Sequence, residues 1–175
     1  MAEALFERFP KHRVEVLGGE VTVEPLPDIG HAGILTDVMA ACFKAGMVGA
    51  GPKPIQRIAI WLPTGPDDYA MPDLSIVDPE IHNHMVTYNC YDPKCFRLVL
   101  EVTSAVLCSD LTRKPAAYAM AGVPVYVIVD RIDRRVMVLT DPTDGDYREQ
   151  VVHRPGQSFT LPETSVMLSV DDLLS

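Results

Sequence analysis

The sequence predicts an α/β fold: a mixed sheet with an N-terminal β-hairpin, one long helix ahead of the sheet, and a second helix inside a strand–helix–strand crossover. Three observations predict it. Residues 13–17 and 20–24 alternate polar and apolar side chains around Gly18-Gly19, a two-residue hairpin signal. Apolar residues at Ile34, Leu35, Val38, Met39, Cys42 and Phe43 recur at helical spacing. Two apolar runs, residues 95–103 and 125–129, flank a helical segment. The second, Val125-Tyr-Val-Ile-Val129, is nearly continuous, as in a strand covered on both faces.

The elements follow in order. After the hairpin, Pro25-Leu-Pro-Asp-Ile-Gly30 is a turn-rich link. A helix with one buried face runs over residues 31–44. Glycines and prolines make residues 46–54 a loop. Residues 57–62 are a strand, 63–68 a turn, and 74–77 a short strand ended by Asp78-Pro79. Residues 82–94 are polar and irregular. The long strand at 95–103 leads through a loop at 104–109 into a helix at 110–121, stopped by Gly122 and Pro124. The strand at 125–129 completes the crossover. Residues 135–139 and 147–152 form a hairpin around 141–145, and residues 170–174 form a closing helical turn. The chain is expected to be one domain over residues 1–175, with 1–10 as an N-terminal arm.

Of 175 residues, 47% are hydrophobic and 22% charged, the composition of a folded domain. Twenty-four acidic against 15 basic residues give a net charge of −9, which argues against a protein that coats DNA by charge. It leaves room for an enzyme that holds cations between acidic groups. The first ten residues have no apolar core of signal-peptide length, and no stretch reaches the about 20 apolar residues of a membrane helix. Four cysteines do not suggest a disulfide scaffold. These features predict a cytoplasmic, reduced, soluble protein with no membrane partner.

The chemistry is concentrated in three residues. Asp73 follows Pro72 at the start of an apolar strand. Glu101 lies inside the apolar strand Leu98-Val-Leu-Glu-Val102, where a carboxylate is costly unless paired. Period two puts Glu101 on the face of Val99 and Thr103. Lys114 lies at the start of the next helix, which a crossover brings back over its own strand. Two carboxylates and a lysine suit a divalent-cation site: Mg²⁺ takes a few hard oxygens and keeps its waters, and it lowers the pKa of a bound water. Spacing alone is better served by a turn-capping Asp73, a Glu101 paired to an arginine, and a solvated Lys114.

The wider string carries a resemblance. Met71-Pro-Asp-Leu-Ser-Ile-Val-Asp78, Leu98-Val-Leu-Glu-Val-Thr-Ser104 and residues 110–130, with Asp110, Lys114, Tyr118, Gly122 and Asp130, resemble the bacterial restriction-endonuclease-like family of the PD-(D/E)XK nuclease superfamily. The resemblance runs over about residues 10–174, and its specific part is 71–130. It implies a restriction-endonuclease-like mixed central sheet with flanking helices. It also implies that Asp73, Glu101 and the main-chain carbonyl of Val102 hold Mg²⁺, with Mn²⁺ as a substitute. Lys114 comes from the following helix in an Asp-x-x-x-Lys-x-x-x-Tyr pattern, because Thr103 stands at the third position of the core motif. The chain departs from the family in having Ser104-Ala-Val106 after the second acid, without the arginines often found there.

The resemblance implies a Mg²⁺-dependent endonuclease that hydrolyses DNA phosphodiester bonds, with a homodimer to cut both strands. The alternative is a catalytically inactive nuclease scaffold acting as a binding or regulatory module. A third reading takes His82, His84, Cys90 and Cys95 as zinc ligands, although their intervals are irregular. Glu20, His31 and Tyr118 are further candidates near the site. Cys108 is read as a small neutral residue. Lys11, His12, Arg13, Arg131, Arg134 and Arg135 are read as solvated basic faces, and Met39, Met120, Met137 and Met167 as core.

Overall fold

The computed structural model describes residues 12–24, 26–87, 89–103 and 109–175. Strands β1 (Arg13–Leu17) and β2 (Glu20–Glu24) form the expected hairpin. Gly18 and Gly19 have φ of +59° and +77°, the left-handed pair that a two-residue hairpin turn requires. The buried Asp68 carboxylate fixes this turn. It accepts hydrogen bonds from the Gly18 and Gly19 N–H groups at 2.6 and 3.1 Å, and from the Thr64 hydroxyl at 2.6 Å.

Helix α1 (Ile29–Lys44) is capped by Asp28, whose side chain accepts the His31 N–H at 2.8 Å. Its far end closes on Gly46 at φ +84°, with Gly46 N–H on the Phe43 carbonyl and Met47 N–H on the Cys42 carbonyl, a Schellman motif. Strands β3 (Lys53–Gln56), β4 (Ala59–Trp61), β5 (Tyr69–Ala70) and β6 (Leu74–Val77) follow. Next come β7 (Met85–Thr87), β8 (Cys90–Tyr91) and the long β9 (Phe96–Val102). Helices α2 (Ser109–Thr112) and α3 (Lys114–Met120) lead into β10 (Val125–Asp130), β11 (Arg135–Thr143) and β12 (Asp146–His153). Strands β13 (Ser158–Thr160) and β14 (Met167–Ser169) and the closing helix α4 (Val170–Leu173) end the chain.

The strands form two six-stranded sheets, ordered β2-β1-β5-β4-β8-β7 and β12-β11-β10-β9-β6-β3, and the small pair β13-β14. In the second, central sheet β9 and β10 are parallel neighbours and the other pairs are antiparallel. This is the expected crossover. One face of the central sheet packs Leu98, Leu100, Val125 and Val127 against Ile34, Leu35 and Val38 of α1 and Leu173 of α4. The other packs Val99, Tyr126 and Ile128 against Ala117 and Tyr118 of α3, against Leu17 and Ile60 of the first sheet, and against Leu62 just after β4. Strand β10 is therefore covered on both sides, as its unbroken apolar run predicts.

Several boundaries differ from expectation. The helix expected over 110–121 is two helices meeting at Arg113, because Pro115 has no N–H to bond back into the previous turn. The hairpin does not simply flank the central sheet but heads a second one, which recruits short strands β7 and β8 from the segment that reads as irregular and β5 from residues that carry no pattern. The strand expected over 57–62 shortens to β4, with Arg57 at φ +54°. Phe43 is 51% exposed, and Met120 and Met167 are exposed and not core. Residues 104–108 of the expected loop lie outside the described residues, and so do Lys11 and Cys108.

Candidate active site

Adjacent strands and one helix turn deliver the three predicted residues to one place. Glu101 opposes Ile128 of β10 and faces α3. Its environment is fully buried. Lys114, the first residue of α3, is also fully buried and places Nζ 2.8 Å from Glu101 Oε1. Tyr118, one helical turn later, donates its hydroxyl to the same oxygen at 3.0 Å. Asp73 immediately precedes β6, whose Leu74 pairs with Leu100 of β9. Its Oδ2 accepts the Val102 N–H at 2.8 Å. The solvated Lys114 that spacing alone allowed is thus corrected: the crossover buries the lysine on its own strand's carboxylate.

The hairpin completes the cluster with residues that sequence reasoning missed or misplaced. Arg13, read from sequence as part of a solvated face, is only 7% exposed. Its Nη1 donates to Asp73 Oδ1, and its Nη2 donates to Glu101 Oε2 at 3.2 Å. Its Nε lies against Glu24 and 3.8 Å from Glu15. Glu15 and Glu24 carry no motif and were not foreseen. Glu15 accepts the Met71 N–H at 2.7 Å, and Lys114 Nζ lies 3.0 Å from Glu15 and 3.6 Å from Glu24. His31, in the first turn of α1, sets Nε2 3.2 Å from Asp73 Oδ1. Asp28 positions it by capping that turn.

Four carboxylates, Glu15, Glu24, Asp73 and Glu101, thus surround two cationic side chains, Arg13 and Lys114. Burial would lower the Arg13 pKa, but the charges of Glu101, Glu15, Asp73 and Glu24 hold it well above its ordinary value. Burial likewise opposes ionisation of Asp73. The His31 hydrogen bond, the Arg13 and His31 charges and the Val102 N–H outweigh it and lower the carboxyl to about 2. Glu15 is also lowered: burial opposes this, and Lys114, Arg13 and the Met71 N–H overcome it. Glu24 goes the other way. Burial and the neighbouring Glu15 charge push it up to about 7, against the pull of Arg13 and Lys114. Burial and the charges of Glu101 and Glu15 raise Tyr118 well above the usual phenol range, so its hydroxyl is a donor.

The other candidates are separated from this centre. Glu20 is exposed and pairs with Arg113 at 2.7 Å, on the rim. Arg131 pairs with Asp28 at 2.9 Å. Arg134 donates to the Leu174 carbonyl, and Arg135 holds Asp130 and Asp133 at 3.0 Å each. His82 and His84 are exposed, whereas Cys90 and Cys95 are buried in different apolar clusters. Burial pushes the Cys90 thiol up to about 11 and the Cys95 thiol up as well. Among the described residues, no three His, Cys, Asp or Glu side chains are arranged as a ready-made metal site.

A mixed sheet with a parallel β9–β10 pair, an acid before β6, an acid within β9 and a lysine on the crossover helix define a restriction-endonuclease-like fold. The chain belongs to the Uma2 family, described as "Putative restriction endonuclease", which it matches over residues 3–171. Among solved structures it is similar to one described as a "putative nuclease belonging to DUF820" from Anabaena variabilis ATCC 29413. The TM-score is 0.72 at 16% identity, over 92% of this chain and 89% of that one. No curated protein matches the chain significantly. No helix among the described residues is long and apolar enough to cross a membrane.

Proposed function

We propose that this chain is a Mg²⁺-dependent endonuclease that hydrolyses DNA phosphodiester bonds, with Mn²⁺ as an alternative ion. The observation that carries the reading is the convergence of Asp73, Glu101 and Lys114 in one buried cluster. Membership of the family described as "Putative restriction endonuclease" supports it. The donor set fits a hard divalent cation. Asp73 Oδ1 and Glu101 Oε2 are carboxylate oxygens that both turn towards a single positive group, the Arg13 guanidinium, and Mg²⁺ favours one or two carboxylates with water and phosphate completing its shell. Asp73, Glu101 and the Val102 carbonyl would hold it. The bound ion would acidify a water and offset charge on the phosphoryl oxygens.

The protein's own groups do the remaining work. Lys114 keeps a fixed positive charge where a water or phosphoryl oxygen would gain negative charge. Tyr118 and Lys114 together fix Glu101 Oε1, and Oε2, which faces the Arg13 guanidinium, is the oxygen that would hold the ion. The Val102 N–H holds Asp73 Oδ2, and His31 Nε2 lies 3.2 Å from Oδ1, the oxygen that Arg13 also engages. A homodimer would supply the two sites that cleavage of both strands calls for.

A second reading, an inactive scaffold that binds a partner, is favoured by one observation: Arg13 already neutralises both candidate ligands. Calorimetric titration of Mg²⁺ and Mn²⁺, followed by plasmid cleavage with the same samples, separates the two. The expected result is metal binding and nicking by the wild type, both lost in Asp73→Asn with an unchanged circular dichroism spectrum. Metal binding without cleavage of any plasmid would favour the scaffold. Cleavage by Asp73→Asn at the wild-type rate would overturn the site.

A further inference from the structure

We infer that Arg13 is the resident counter-cation of this site, and that a divalent metal enters by displacing its guanidinium from Asp73 and Glu101. The inference rests on the metal-dependent reading above and adds a competitor built into the chain. Its first ground is geometric. The Nη1 and Nη2 groups of Arg13 engage Asp73 Oδ1, which His31 Nε2 also approaches at 3.2 Å, and Glu101 Oε2, while Val102 takes Asp73 Oδ2 and Lys114 and Tyr118 take Glu101 Oε1. A metal and the guanidinium therefore compete for the same pair of oxygens.

Charge is the second ground. Four carboxylates, Glu15, Glu24, Asp73 and Glu101, face the Arg13 and Lys114 side chains, with His31 beside Asp73. Buried carboxylates that outnumber their partners are costly, so the cluster gains from a further cation.

The third ground is a berth for the displaced guanidinium. Arg13 Nε already lies against Glu24, with Glu15 3.8 Å away, so two carboxylates remain beside Arg13 when Nη1 and Nη2 leave Asp73 and Glu101.

Displacement predicts that removing the competitor tightens metal binding. Mg²⁺ and Mn²⁺ are titrated calorimetrically into wild type, Arg13→Gln, Arg13→Lys and Arg113→Gln, each checked for folding by thermal melting. Arg113 pairs with Glu20 on the rim, so Arg113→Gln removes the same unit charge without opening the pair of oxygens. Expected are at least tenfold tighter binding in Arg13→Gln and a smaller gain in Arg13→Lys, whose ammonium cannot span both carboxylates. Arg113→Gln should change affinity by less than threefold.

Arginine side-chain NMR of the wild type reads the same event without a mutation. The Arg13 Nη signals, held by two carboxylates, should shift towards those of free guanidinium as Mg²⁺ is added. If Arg13→Gln does not fold, Arg13→Lys and the NMR titration decide. Equal affinity in wild type and the Arg13 variants, or an equal gain in Arg113→Gln, would overturn the displacement while leaving the metal site standing. No binding by any variant up to millimolar metal would overturn both.

Discussion

Glu24 shows how one side chain records the crowding of the cluster. In the folded chain its carboxyl is pushed up to about 7 from an ordinary 4.5, by burial and by the adjacent Glu15 charge. A group that binds its proton more tightly when folded stabilises the fold less as that proton leaves. Between about pH 4.5 and 7 the Glu24 contribution therefore falls as pH rises, and it is level above that window. Asp73, lowered from 3.8 to about 2, has the opposite sign: its contribution is complete above 3.8 and is lost as pH falls towards 2. Glu24→Gln removes the first dependence and leaves the second. Thermal melts at pH 4.5, 6 and 7.5 should show the variant gaining on wild type step by step across that range. Parallel profiles would mean that Glu24 titrates as an ordinary exposed carboxylate.

The hairpin is the element that turns a pair of motif acids into a charged cluster, and its tip is held by one residue. Asp68 accepts two backbone N–H groups and a hydroxyl while almost wholly buried. Asp68→Ala leaves those donors without their acceptor, a loss of about 2–3 kcal/mol. Hydrogen exchange should locate the loosening in residues 13–24, with protection in β9 and β10 retained. Uniform loss of protection would show that the hairpin and the central sheet unfold as one unit. The hairpin also marks what was legible. Gly18-Gly19 fixes the register, so Arg13 faces Glu24 across the strands and Glu15 lies two residues from Arg13 on the same face. That pairing was readable from the sequence. What was not readable was the other surface. An alternating strand normally turns its charged side chains to water, and here a second sheet lays that face on β9, so all five residues of β1 are buried. The signal lies in the register of a tight turn and not in any motif.

At the scale of the whole molecule, local pattern reached the central sheet except β3, and in the second sheet only the hairpin and β4. Strands β9 and β10 and the helix between them are long or strongly apolar, so their order and parallel pairing follow from crossover geometry. Strands β5 and β8 have two residues each. They exist only because neighbours offer hydrogen bonds, and no window of sequence that short carries a period. The same scale sets how such a chain meets a polyanion. A net charge of −9 gives a long-range field that repels DNA. The arginines that flank the site are already committed, Arg113 to Glu20 and Arg131 to Asp28. Each phosphate contact from these residues would first break an ion pair, so fewer counterions are released per contact than for a basic protein. DNA binding by Asp73→Asn, measured by fluorescence anisotropy from about 50 to 300 mM potassium chloride, should therefore have a shallow logarithmic slope. The expectation is a magnitude below about 3, which corresponds to roughly three neutralised phosphates. A slope steeper than about 5 would require an extended cationic track, and recognition would then be driven by charge and not by close contact at the buried cluster.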